Sequence, residues 1–181
     1  MRHQLALHPQ SRAEAIEKVE IEAALIGSSL TLRYIATGAT PALKVAKLSA
    51  PNRVDGLWRT TCFEAFVAAE GTDAYYEFNF SPSTEWAAYR FSAYREGMTA
   101  AAEAGEPDIQ TRLNARRLDL QAQISLRSLT ALPWDADFRL AVAAVIEEAS
   151  GALSYWALAH PPGRADFHHP DGFIFHLTRE K

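Results

Sequence analysis

Apolar residues recur at every second position over most of this chain, and a period of two marks strands that cover one core face rather than helices. In 19–25, Val19, Ile21, Ala23 and Leu25 fall on one side while Glu20, Glu22 and Ala24 fall on the other. Gly27-Ser28-Ser29 then turns the chain into Leu30, Leu32 and Tyr34, which reads as a hairpin. The same patterning predicts strands over 57–68, 75–81, 86–94, 109–114, 118–126, 138–147, 153–160 and 173–178. About ten strands joined by short turns predict an all-β, antiparallel β-sandwich of immunoglobulin or jelly-roll type. Only 96–104 and 126–131 read as short helices, 11–18 has the Ala and Glu content to open one, and no β-α-β alternation is present. Irregular stretches are expected at 38–56, 96–108 and 161–172.

Composition narrows the partners. The 181 residues suit a single domain over 1–181, and 18 Lys and Arg against 22 Asp and Glu leave a net charge of −4. With no basic stripe to displace counterions from a phosphate backbone, nucleic acid is not an expected partner. The longest aliphatic run, Leu140 to Ile146, is far shorter than the ~20 residues of a membrane span, so no membrane association is expected. The opening MRHQLALHPQ breaks its apolar stretch at His8 and Pro9 and does not read as a signal peptide, which makes the cytoplasm the expected location. Cys62 is the only cysteine: it permits no internal disulfide and no multi-thiolate metal site, and reads as a small buried apolar residue.

The segment with most chemistry is 75–95, YYEFNFSPSTEWAAYRFSAYR. Alternation puts Tyr76, Phe78 and Phe80 on one face of its first strand, with Glu77, Asn79 and Ser81 on the other. After the Ser81-Pro82-Ser83-Thr84 turn, Trp86, Arg90 and Tyr94 share a face opposite Tyr89 and Phe91. If the strands pair, Glu77 and Asn79 would neighbour Trp86 and Arg90. An aromatic plate beside carboxylate, amide and guanidinium groups suits a sugar, whose C–H face stacks while its hydroxyls need donors and acceptors. The competing reading of the same residues is a solvated sheet face with cross-strand ion pairs.

Three runs carry a family resemblance: DGLWRTTCFEAFV at 55–67, YYEFNFSPSTEWAAYRFSAYREGM at 75–98 and YWALAHPPGRADFHHPDGF at 155–173. Over roughly residues 50–178 the chain resembles bacterial DOMON-like domain proteins, which are similar to family 9 carbohydrate-binding modules. The resemblance implies a β-sandwich that binds a sugar or a b-type haem and usually catalyses no reaction. It also implies that Glu64, Phe66 and the block at 76–82 form a strand pair with a polar face, and it makes Trp86 and Trp156 the candidates for an aromatic clamp. Haem-binding relatives use a Met with a His or Lys as axial ligands; this chain offers only Met98 in a loop and His160 late, so no haem or other cofactor is expected.

Four of the six histidines fall within 160–176, but their spacing matches no metal motif, and an ordered loop fixed by Pro161, Pro162 and Pro170 is the expected reading, with no metal. The expected function is therefore non-catalytic binding of a small polar ligand, a carbohydrate above others, by Glu64, Glu77, Asn79, Trp86, Arg90, Tyr94, Trp156 and His160. The alternative is a small hydrolase or metal-dependent enzyme that uses Glu64, Glu77, His160 and His168. An uncovered sheet edge would also allow self-association.

Overall fold

The computed structural model describes residues 2–133 and 136–177. Among them are twelve strands: β1 (Arg2–Leu7), β2 (Ile16–Ile26), β3 (Ser29–Gly38), β4 (Cys62–Ala69), β5 (Tyr75–Phe80), β6 (Trp86–Phe91), β7 (Thr99–Ala100), β8 (Asp108–Asn114), β9 (Arg117–Ser125), β10 (Phe138–Glu147), β11 (Leu153–Ala157) and β12 (Phe175–Leu177). All pair antiparallel. The helical segments among the described residues are four three-residue 3₁₀ turns, at 40–42, 57–59, 126–128 and 170–172, so none is long enough to cross a membrane.

The fold is the expected all-β antiparallel class. One layer runs β8-β9-β3-β2-β1 and the other β7-β6-β5-β4-β10-β11, with β12 alongside the start of β10. β1 belongs to both: Arg2 to Leu5 pair with β2, and Ala6 and Leu7 pair with β11. A strand that changes sheet in this way makes the corner of a sandwich. The hairpin at 19–34 forms as read, its two-residue loop opening on Gly27 at φ 59°, the positive angle that a tight hairpin turn demands.

The layers meet through large side chains. Tyr34 of β3 lies with its ring 5.0 Å from that of Phe63 in β4, and its hydroxyl donates to the Glu64 carbonyl at 2.7 Å. Leu5, Ile21, Leu30 and Leu32 face Phe63, Tyr76, Phe78, Phe80, Leu140 and Trp156 across the core. Each such side chain, taken from water, contributes about 1.5–3 kcal/mol.

The two layers differ in a way that positions the functional site. β2, β3 and β9 alternate between buried and more exposed residues over most of their length, as a sheet with one wet face must. β4 and β5 are buried at every residue, and β10 at all but Arg139. Their outer face carries a second apolar cluster, in which Phe66, Tyr75, Tyr89, Phe91 and Phe173 pack with Trp58 and Phe167 from the covering loops.

Several local expectations change. Residues 96–104 form no helix: Thr99 and Ala100 extend the sheet at the edge of β6, and the Ala101 and Ala104 carbonyls accept from Arg53 Nη2 at 2.8 and 3.1 Å. At 126–131 only the 3₁₀ turn Leu126–Ser128 forms. At 11–18 the Glu14 and Ala15 amides donate to Glu148 Oε1 at 2.8 and 2.9 Å, which ties the backbone down before β2 starts. The predicted strand over 57–68 begins at Cys62, after a 3₁₀ turn; those over 153–160 and 173–178 shorten to β11 and β12, and Thr178 lies outside the described residues.

Candidate functional site

Register decides which side chains share the outer face. Residues directly opposite on paired strands point to the same side. Glu64 is opposite Asn79 on β5 and Ala143 on β10, Ala143 is opposite Ala157 on β11, Asn79 is opposite Ala87 on β6, and Glu77 is opposite Tyr89. Glu64, Glu77 and Asn79 therefore stand together on the outer face. The neighbouring positions 87, 143 and 157 are all alanine, which leaves a depression over the carboxyl groups.

Loops border this depression and deepen it into a half-open cavity of about 390 Å³. Glu64, Glu77 and His168 form its polar floor; Trp58, Phe91, Tyr155 and Phe167 supply aromatic walls; Arg95 and Met98 stand at the side. Trp58 comes from the 57–59 turn and packs edge-on against Tyr89, with ring centres 5.8 Å apart. The loop after β11 brings in Phe167 and His168, and His168 lies against Phe66 and Phe91 at 4.9 and 5.1 Å.

A chain of hydrogen bonds fixes most of the floor. Cys62 Sγ donates to Asn79 Oδ1 at 3.5 Å, and Asn79 Nδ2 donates to Glu77 Oε1 at 2.7 Å. Glu77 Oε2 lies 3.6 Å from His168 Nε2, and His168 Nδ1 bonds the Tyr75 hydroxyl at 2.8 Å. Because the Arg95 amide already donates to that hydroxyl at 3.1 Å, the Tyr75 proton is best used on Nδ1, which leaves the Nε2 proton facing Glu77. Arg95 Nη2 pairs with Asp166 Oδ1 at 2.7 Å, and Asp166 also accepts from the His168 amide at 3.1 Å and from the Tyr94 hydroxyl.

Glu64 is the exception. It is 3% exposed, and its Oε1 has no hydrogen-bond partner among the described residues. Burial pushes its carboxyl well above the usual range, and the neighbouring Glu77 pushes it further. Burial also raises Glu77, against the pull of the Asn79 hydrogen bond and of Arg95. His168 moves the other way, down to about 4, first through burial and then through Arg95, opposed by Asp166. At neutral pH the floor thus offers a neutral imidazole and two carboxyl groups that resist ionisation.

The eight predicted binding residues do not form one patch. Trp86 is opposite Phe80 and Arg90 opposite Tyr76, so both lie on the core-side face, away from Glu77 and Asn79. Trp86 is buried with the Arg53 guanidinium 4.4 Å from its ring centre, and Arg90 pairs with Glu103 at 3.5 Å. Trp156 is a core residue whose Nε1 donates to Ser154 Oγ at 3.0 Å. Tyr94 escapes the alternation because β6 ends at Phe91; it lies in the following turn, at a neighbouring cavity of about 260 Å³ that it lines with Tyr75, Arg139 and Phe173.

His160 donates from Nε2 to the Ala6 carbonyl at 2.9 Å and packs on His8, outside the main cavity. The alternative set of Glu64, Glu77, His160 and His168 is therefore not assembled. The histidines of 160–176 are dispersed, since His176 bonds Glu70 and His169 caps Asp171, and no group of three or more metal-ligating side chains converges among the described residues. Sequence reasoning missed Trp58, which the strand predicted over 57–68 took in but which sits in a 3₁₀ turn ahead of β4, and Arg95 and Phe167, which sit in loops. Tyr155 was within reach, as the residue on the opposite side of β11 from Trp156.

No protein-family model matches the chain, and no curated protein does. Solved structures share its fold, three of them as follows. A "putative carbohydrate-binding protein" from Bacteroides uniformis ATCC 8492 superposes with a TM-score of 0.72 over 96% of this chain and 84% of its own, at 16% identity. A family 9 carbohydrate-binding module from Caldicellulosiruptor kristjanssonii, in complex with cellotriose, gives a TM-score of 0.50 over 85% of this chain and 70% of its own, at 14% identity. A family 9 module from the same organism, in complex with glucose, gives a TM-score of 0.50 over 85% of this chain and 72% of its own, at 14% identity. At these identities the likeness is one of fold.

Proposed function

We propose that this protein is a non-catalytic carbohydrate-binding β-sandwich whose ligand occupies the cavity floored by Glu64 and Glu77. The observation that carries the reading is Glu64 Oε1, a buried polar atom without a partner on the floor of an aromatic-walled cavity. Such an atom is costly unless something supplies a hydrogen bond, and a sugar hydroxyl is a donor of the right kind. Trp58 offers an indole for the C–H face of the ring, while Glu77 and Arg95 offer an acceptor and donors for further hydroxyls. Cavities of several hundred Å³ with a few converging polar groups are of the size that small ligands occupy. The sugar-bound modules of like fold and the DOMON-like resemblance support the same reading.

Titration calorimetry with D-glucose, cellotriose and a wider saccharide panel tests it. Wild type should bind at least one member saturably. Trp58→Ala should weaken that binding by about 1–3 kcal/mol, the worth of a stacked indole, and Glu77→Gln should weaken it as well. No binding across the panel, or equal binding by all three proteins, would remove this cavity as a sugar site.

A further inference from the structure

We infer that the sugar taken by this cavity carries a cationic amine, received by the Glu64 and Glu77 carboxyl groups: an amino sugar rather than a neutral one. This rests on the carbohydrate reading and names its ligand class. The charged groups that line the cavity are Glu64, Glu77 and Arg95, with His168 neutral beside them. Arg95 is already engaged, since its Nη2 pairs with Asp166 at 2.7 Å. Among the described residues Glu64 has no ion-pair partner, and the only one for Glu77 is His168, 3.6 Å away and uncharged. The other polar group on these carboxyls, the Asn79 amide on Glu77, carries no positive charge. The floor therefore holds two acids, and the one cation at its side, Arg95, draws on Glu77 but is shared with Asp166.

A buried carboxylate gains about twice as much from a charged donor as from a neutral one. A hydroxyl brings one proton to Glu64 Oε1, whereas an ammonium brings three and the charge that lets the carboxyls ionise. The aromatic lining by Trp58, Phe91, Tyr155 and Phe167 agrees with this choice, because an aromatic face attracts a cation as well as a sugar's C–H face. A cationic centre for the carboxyls and a ring for the aromatics meet in one ligand when the amine is borne on the sugar.

Calorimetry at pH 6.5 with glucosamine, glucose, N-acetylglucosamine and cyclohexylamine tests the inference. Glucosamine should bind about tenfold or more tightly than the other three, about 1.4 kcal/mol, because each of them lacks either the charge or the hydroxyls. Glu64→Gln and Glu77→Gln should each shrink the preference over glucose to within about threefold. Should either variant fail to fold, wild type alone still decides: glucosamine binding should release protons, read from its heat in buffers of different ionisation enthalpy, as the floor ionises. Equal affinity for glucosamine and glucose, or no proton release, overturns the amino-sugar class and leaves the carbohydrate reading standing. Equal affinity for cyclohexylamine overturns it because the hydroxyls would then contribute nothing. No binding of any sugar overturns both.

Discussion

Glu77 and Trp86 stand on paired neighbouring strands and face opposite sides of the same sheet. Glu77 is opposite Tyr89 on the outer face, while Trp86 is opposite Phe80 in the core, beneath Arg53. A ligand cannot touch both without parting the sandwich. Trp58, from the 57–59 turn, is the indole that shares a cavity with Glu77.

Replacement of the two tryptophans should therefore separate stability from binding. Trp86→Ala empties a core site and should cost about 3–5 kcal/mol in urea unfolding. Trp58→Ala, at a half-buried loop position, should stay within about 1 kcal/mol of wild type in stability and lose affinity for the sugar instead. The reverse pattern would put the ligand on the other face.

The buried acids give a pH dependence with a definite sign. The folded state holds the Glu64 proton well above the carboxyl's ordinary 4.5, so over that window the unfolded chain binds fewer protons and stability falls as pH rises. Gln at position 64 does not titrate. The melting temperature of Glu64→Gln minus that of wild type should therefore increase from pH 5 to pH 9, and a difference independent of pH would mean that Glu64 ionises freely.

His168 acts at the acid end. Its folded value lies near 4 against 6.5 for a free imidazole, so between these values the unfolded chain binds more protons and stability is lost as pH falls. The full shift is worth up to about 3 kcal/mol. NMR of the imidazole should show a midpoint near 4; one near 6.5 would mean that the ring is solvated and that the Tyr75 contact does not persist.

Gly38 marks the tightest backbone approach. At φ 153° an added Cβ would stand 2.1 Å from the Ala15 carbonyl oxygen, which accepts from the Ala39 amide at 2.7 Å. Gly38→Ala should cost about 2 kcal/mol or more because backbone, not a pliable side chain, is in the way. A loss under about 0.5 kcal/mol would show that the start of β2 can move aside.

Much of the sandwich is legible in the alternation. The split of Tyr76, Phe78 and Phe80 from Glu77 and Asn79 follows from period two alone, and so does the 19–34 hairpin. What alternation does not contain is register. A five-residue loop, 81–85, sets Phe80 opposite Trp86, and one residue more or less would have turned Trp86 toward Glu77. That loop holds Thr84 at φ 77°, an angle that a β-branched residue rarely takes and nothing in the sequence announces. β1 was missed because it is short and has a single fully buried side chain, Leu5. Trp58 was missed because the pattern over 57–68 runs on as a strand where the chain makes a 3₁₀ turn, and Phe167 because the loop at 161–172 has no period of its own.

The most direct test of the cavity as the sugar site is an indole N–H titration. In a ¹H–¹⁵N spectrum, the resonance of Trp58, assigned by its loss in Trp58→Phe, should shift saturably as glucosamine or cellotriose is added. The resonances of Trp86 and Trp156, which sit in the core, should stay in place. Movement of Trp86 or Trp156 with Trp58 unchanged would contradict the account, since it would place the ligand on the face that the second sheet covers.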